Sequence, residues 1–415
     1  MPMISRRRLL ATGAASAAGL MLRPGLQVAF ADTASAGDIL VVLFLRGGAD
    51  GLSLVAPVND ANYIAARPTL AVPASGANAG LALAGGPAGV DFRLHPWAAG
   101  LKALYDQGRL AIVHACGLPS ASRSHFKSQD LMERGYGDGE AELIDGWITR
   151  HLAVTGIGSG AVPVMAAHDS LPISLLRNTS AVAIPAVQDF FLEDDDANRG
   201  VLQQLCAGTS DYAAVGSHAI AALGAVYDRA PKNAAGAIDT YHPAPGVDYG
   251  RGELADGLKT VAELVKLDVG LKLATVEFNN WDTHDDQAIH LQSQIGQLSQ
   301  ALSAFWADLA SYQSRLTVVA MTEFGRRVAE NANRGTDHGH GSVMLALGGP
   351  VNGGRIYGTW PGLAANQLDQ RLDLAITTDY RQVLAEILVR RQGNPNIAAV
   401  FPTITYQPLG IVAAS

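Results

Sequence analysis

The chain predicts an α/β fold built on a mostly parallel central sheet with helices on both faces. Three observations predict it. Short apolar runs rich in β-branched residues recur without polar alternation, as strands buried on both faces do. Helical patterns separate these runs, which suits crossover connections between parallel strands. Gly- and polar-rich segments follow the runs, where sheets of this kind place their loops.

Ile39-Leu40-Val41-Val42-Leu43-Phe44-Leu45 is the first such run and stops at Arg46-Gly47-Gly48-Ala49-Asp50-Gly51. Leu110-Ala111-Ile112-Val113-His114-Ala115 is the second, and it leads into Ser120-Ala121-Ser122-Arg123-Ser124-His125 and a helical pattern reaching about Arg134. Residues 251–267 and 285–311 have the spacing of amphipathic helices. Between them lies a third strand, Leu273-Ala274-Thr275-Val276-Glu277-Phe278. Leu316-Thr317-Val318-Val319-Ala320-Met321 and Val343-Met344-Leu345-Ala346-Leu347 are the fourth and fifth. The Gly-, Ala- and Pro-rich residues 72–93 and the stretch from about 160 to 250 are expected to be insertions into one domain spanning 32–415.

Before that domain, Ser5-Arg6-Arg7-Arg8-Leu9-Leu10, a weakly apolar run and Ala29-Phe30-Ala31 have the three parts of a twin-arginine signal. Cleavage is expected after Ala31, with the twin-arginine translocase as the export partner and the periplasm or exterior as the destination. Arg23 and Pro24 interrupt the run short of the roughly 18 apolar residues a membrane span needs. Residues 1–31 hold four arginines and no acids, so their removal takes the net charge of −8 down by four, to −12. Such an acidic balance argues against a nucleic-acid partner. Two cysteines, Cys116 and Cys206, are too few for a disulfide scaffold of this size and are expected to be free.

The segments after the strands collect carboxylates and imidazoles at one predicted edge. They bring Asp50, then Ser122, Ser124 and His125, then Asp282 and His284, then Glu323 and Arg326; Asp337, His338 and His340 come just before the fifth strand. Asp282-x-His284 puts two ligands on one side of an extended segment. With Glu323, His338, Asp337 and His340 they make an oxygen/nitrogen set suited to a divalent Zn, Mn, Mg or Ca ion. No cysteine lies near them, which excludes a thiolate site. The plainer alternatives are a loop-capping Asp282, a surface His284, a Glu323 stabilised by a helix dipole and an Asp50 paired with Arg46 in a turn. Ser122 and Ser124 stand where a serine commonly caps a helix. One of them, with Ser124 favoured, is a candidate nucleophile toward a phosphoryl or sulfuryl centre, and Arg123 and Arg326 are candidate clamps for the anion.

Taken together, Phe44-Leu45-Arg46-Gly47-Gly48-Ala49-Asp50-Gly51, Ser122-Arg123-Ser124-His125-Phe126, Trp281-Asp282-Thr283-His284, Glu323-Phe324-Gly325-Arg326 and Gly335-Thr336-Asp337-His338-Gly339 resemble an exported bacterial family catalogued as a domain of unknown function (DUF1501). The resemblance runs from about residue 38 to 363 and on to 405. At greater distance it implies the alkaline-phosphatase and sulfatase superfamily. That relation implies a three-layer αβα sandwich with metal ligands at strand ends, Asp50 as first-strand ligand, Ser122 or Ser124 as nucleophile, Asp282 and His284 as a ligand pair and His338 or His340 as the late histidine. Glu323-Phe324 departs from the superfamily's Asp-His, the Asp282-to-His284 gap is short, and the formylglycine signature is missing. The implied activity is hydrolysis of a small phosphate or sulfate ester, phosphorylated or sulfated glycans included. The contrasting expectation is an exported binding or assembly protein without catalysis, which the Glu323-Phe324 departure favours.

Overall fold

A computed structural model describes residues 37–413 except 157, 159, 193 and 194. The expected signal, residues 1–31, and the acids Glu193 and Asp194 lie outside the described residues. Among the described residues nine strands form the main sheet: β1 (Ile39–Leu45), β2 (Leu110–Gly117), β3 (Val164–Ala166), β4 (Ala181–Ala183), β5 (Leu273–Phe278), β6 (Leu316–Met321), β7 (Ser342–Gly348), β8 (Arg355–Tyr357) and β9 (Thr378–Asp379). The order is β8-β2-β7-β6-β1-β5-β3-β4, with β9 also paired to β2. Only β7 runs against its neighbours β2 and β6; every other pairing in the sheet is parallel.

The central strands are apolar throughout because both their faces are covered. Along β1, Ile39, Val41, Leu43 and Leu45 join one core cluster, and Leu40, Val42 and Phe44 join the other. The first cluster is closed by α2 (Ala99–Asp106), α5 (Asp211–Arg229), α6 (Glu253–Lys266) and α7 (Gln287–Asp308), through residues such as Leu101, Val226, Leu258 and Leu298. The second is closed by α3 (His125–Arg134), α4 (Trp147–Thr155) and α8 (Tyr380–Arg390), through Leu131, Trp147 and Leu384. The fold is thus a three-layer α/β/α sandwich with a mostly parallel sheet, as expected.

One expectation is corrected. The stretch 160–250 is not all insertion: β3 and β4 extend the main sheet, and α5 packs Leu223 and Val226 into the core. Their three-residue strands are too short to stand out as apolar runs. Leu81–Ala82 and Val55–Pro57 each pair with Phe92–Leu94 in a separate three-stranded sheet. Both cysteines are free and buried, and among the described residues no helix is long and apolar enough to cross a membrane.

The direction of β7 decides where the late loop lands. An antiparallel strand begins at the edge where its parallel neighbours end, so residues 334–341 meet the loops after β1, β5 and β6. Backbone hydrogen bonds stitch these loops together: Trp281 N–H to the Arg46 carbonyl at 3.1 Å, Thr336 to Thr283 at 3.1 Å, Arg327 to Asp337 at 2.9 Å and Gly325 to His340 at 2.7 Å.

Candidate metal centre

His125 opens α3, directly after Ser124 at the N-cap. Its Nδ1 lies 2.8 Å from Glu323 Oε1, a carboxylate oxygen, so Nδ1 carries the proton and Nε2 the lone pair. That Nε2 is buried, has no hydrogen-bond partner, and lies 3.3 Å from Asp282 Oδ2. His338 repeats the arrangement. Its Nδ1 is 2.8 Å from the Arg123 carbonyl, which can only accept, and its Nε2 is 3.1 Å from Asp282 Oδ1. His284 repeats it again, with Nδ1 3.3 Å from Asp337 Oδ1 and Nε2 3.1 Å from Asp282 Oδ1. The Nε2 atoms of His284 and His338 stand 3.0 Å apart.

Three imidazoles thus have the outer nitrogen held by an acceptor and the inner nitrogen aimed at one carboxylate. Converging lone pairs repel unless a cation or a proton lies among them. Donation of the outer N–H to a carboxylate or carbonyl is the usual second contact of a metal-bound histidine. Ligand atoms of His125, Asp282 and His338 all fall within 4.8 Å of one another. The donor set, two imidazole nitrogens and a carboxylate with His284 Nε2 beside Asp282 and His338, fits zinc or a similar first-row ion.

The charges fit the same picture. Burial pushes the Asp282 carboxyl up, but the Arg326 guanidinium bonded to it outweighs this and brings it to about 2. Burial lowers His338 below the usual histidine range, which favours the neutral ring a metal needs. The Glu323 hydrogen bond raises His125, against a smaller opposing effect of burial. Glu323 is itself held below the usual carboxylate range, because hydrogen bonds from His125, Gln129 and the Gly47 amide overcome its burial.

The residues expected at the site divide into three groups. Asp282, His284 and His338 meet as described. Glu323 and Asp337 lie one step out, backing His125 and His284. Asp50 and His340 are elsewhere. Asp50 is a fully buried N-cap of α1 (Gly51–Leu54), paired with Arg67 at 2.5 Å and hydrogen-bonded to Ser53 and Gln287. Arg46, its partner in the plainer alternative, pairs instead with Glu133 and Glu277. His340 contacts Asp369.

Neither arginine is a free clamp. Arg123 donates to the buried carboxylate of Asp373. Arg326 is 1% exposed and donates to the carbonyls of Gly47, Gly48, Trp281 and Thr336 as well as to Asp282 at 2.6 Å. It latches four chain segments and positions the carboxylate. Ser124 has N-cap backbone geometry, yet its hydroxyl makes no cap hydrogen bond. The Ser122 hydroxyl accepts from the Ser124 N–H at 3.3 Å.

His125, which is not among the ligands expected from the sequence, belongs to the cluster. Phe324 packs its ring 4.9 Å from His125 and 4.8 Å from His338 and walls the cluster. An open cleft of about 580 Å³ between α2 and α7, lined by Trp97, Ile289, Gln292 and Gln297, offers no carboxylate or imidazole.

Among solved structures, the chain is similar to the alkaline phosphatase of the Antarctic bacterium TAB5, with 12% identity over 76% of this chain and 93% of that one and a TM-score of 0.33. It is similar also to the C-terminal periplasmic domain of EptC from Escherichia coli in complex with zinc (7% identity, 77% and 75% covered, TM-score 0.34). A third is the PsFucS1 sulfatase from Pseudoalteromonas (10% identity, 78% and 64% covered, TM-score 0.32). Likenesses at this level transfer no residue roles. No curated protein matches the chain in sequence. A family model does match, over residues 111–396, and by it the chain belongs to the DUF1501 family, described as proteins of unknown function.

Proposed function

We propose that this protein is an exported, metal-dependent hydrolase of phosphate or sulfate esters. The observation that carries the reading is the convergence of three back-held histidine Nε2 atoms on Asp282. His125, His284, His338 and Asp282 would hold the ion, with Glu323, Asp337, Arg326 and the Arg123 carbonyl fixing their orientation. A divalent ion bound there supplies Lewis-acid polarisation of an ester oxygen and lowers the pKa of a nearby hydroxyl.

Ser124 is the nucleophile in this reading. Its hydroxyl, unused as a cap, sits one residue before His125. The first-turn amides of α3 have no intrahelical acceptor, and they suit the anionic group of the ester. The Arg6-Arg7 signal supports export by the twin-arginine translocase to the periplasm or beyond.

The engagement of Arg123 and Arg326 with internal partners favours a second reading, an exported binding protein that holds its metal without turnover. One experiment separates the two. The zinc- or manganese-loaded protein is assayed on panels of phosphate and sulfate monoesters, with Ser124→Ala and Ser122→Ala beside it. Turnover lost on chelation, restored by metal and cut by more than about 10³-fold in Ser124→Ala supports the hydrolase. A metal-loaded, folded protein without turnover on either panel supports the binder.

A further inference from the structure

We propose that His340, Asp369 and Asp373 form a second divalent-cation site, distinct from the three-histidine cluster. The three residues come from two segments that the backbone holds side by side. Residues 369–373 form a tight hairpin, closed by Asp369 N–H to the Asp373 carbonyl at 2.9 Å and Asp373 N–H to the Asp369 carbonyl at 3.1 Å. Gln370 and Arg371 take left-handed φ of 49° and 60° at its tip. The Gly341 N–H donates to the Leu374 carbonyl at 2.9 Å, which brings His340 alongside. One ligand atom from each of the three residues falls within 4.8 Å of the others.

Two atoms of this group are buried without a partner, and both are lone-pair carriers. His340, 5% exposed, turns Nδ1 to Asp369, which leaves its Nε2 as a buried acceptor with nothing donating to it. Asp373 is fully buried; Arg123 donates to its Oδ2 at 3.1 Å from Nε, and Oδ1 has no partner. Two acceptors cannot satisfy each other. Arg123 pairs with Asp373, whereas Asp369 faces the His340 ring, so with a neutral imidazole the group is one positive charge short. A divalent cation held by His340 Nε2 and the Asp373 carboxylate answers both needs, with Asp369 behind the ring on Nδ1, and this nitrogen and oxygen pair suits zinc or manganese.

The site lies directly behind the first cluster. Arg123, whose side chain pairs with Asp373, holds His338 Nδ1 through its carbonyl. A cation on the hairpin therefore anchors the segment that orients one histidine of the first cluster.

The test is a zinc titration of the metal-stripped, full-length mature protein, read as bound equivalents by native mass spectrometry and repeated with manganese. Two equivalents are expected for the wild type. Asp369→Asn and His340→Gln are each expected to lose one while keeping the ion lost in His284→Ala. Asp369→Asn changes a partly exposed side chain, so it guards against a folding failure at the buried His340. If both variants unfold cooperatively yet retain the wild-type equivalents, the proposal is overturned, and a water satisfies the two orphaned atoms. A wild type that binds one ion supports the site if Asp369→Asn removes it. If only His284→Ala removes it, this site fails and the three-histidine reading stands.

Discussion

Asp50 and Asp282 are both aspartates beyond the ends of parallel strands, and their surroundings divide their work. Asp50 has no exposure and spends its oxygens on Arg67, Ser53, Gln287 and the Leu52 amide. Asp282 is nearly half exposed, with Arg326 behind it and three imidazole nitrogens in front. Removing one partner of a buried ion pair leaves an uncompensated charge, which costs about 3–5 kcal/mol. Asp50→Ala is therefore expected to lower stability by that amount in denaturant unfolding while leaving metal occupancy unchanged. A loss of bound zinc in a folded Asp50→Ala protein would place this carboxylate back among the ligands. At this scale the sequence displayed residue types but not partners. Arg67 and Asp373, which decide the roles of Asp50 and Arg123, belong to no recognisable motif. His125 is legible as an imidazole at a helix start beyond a strand, but the hydroxyls of Ser122 and Ser124 beside it offer the same segment a cap or a nucleophile.

The strands and loops explain why the acids and imidazoles meet. Central strands were easy to see in the sequence because burial on both faces makes them continuously apolar. The short strands β3 and β4 at one end of the sheet were not, since three residues leave no pattern. The antiparallel course of β7 was equally invisible, although it is what carries His338 to the common edge. Loop packing there is tight enough to depend on missing side chains. A Cβ on Gly325 would lie 1.9 Å from the Gly341 carbonyl oxygen, a backbone atom that cannot swing aside. Gly325→Ala is expected to weaken zinc binding by roughly 10–100-fold, as loss of a metal site's outer support does, although no ligand is changed. A competition titration against a chromophoric chelator measures it, and wild-type affinity would show that the loops tolerate the shift.

Across the whole molecule, the sandwich brings together side chains far apart in the chain, His125 from α3, Asp282 and His284 after β5, and His338 before β7. Folding sets this geometry in advance, so an arriving ion need not organise it. The acidic balance of the chain argues against a nucleic-acid partner, and among the described residues no helix is long and apolar enough to cross a membrane. Anomalous diffraction from crystals grown with zinc, collected above and below the zinc edge, tests the central claim most directly. The account predicts a peak bounded by Nε2 of His125, His284 and His338 and a carboxylate oxygen of Asp282. Clear density for all four side chains with no anomalous peak among them would contradict it.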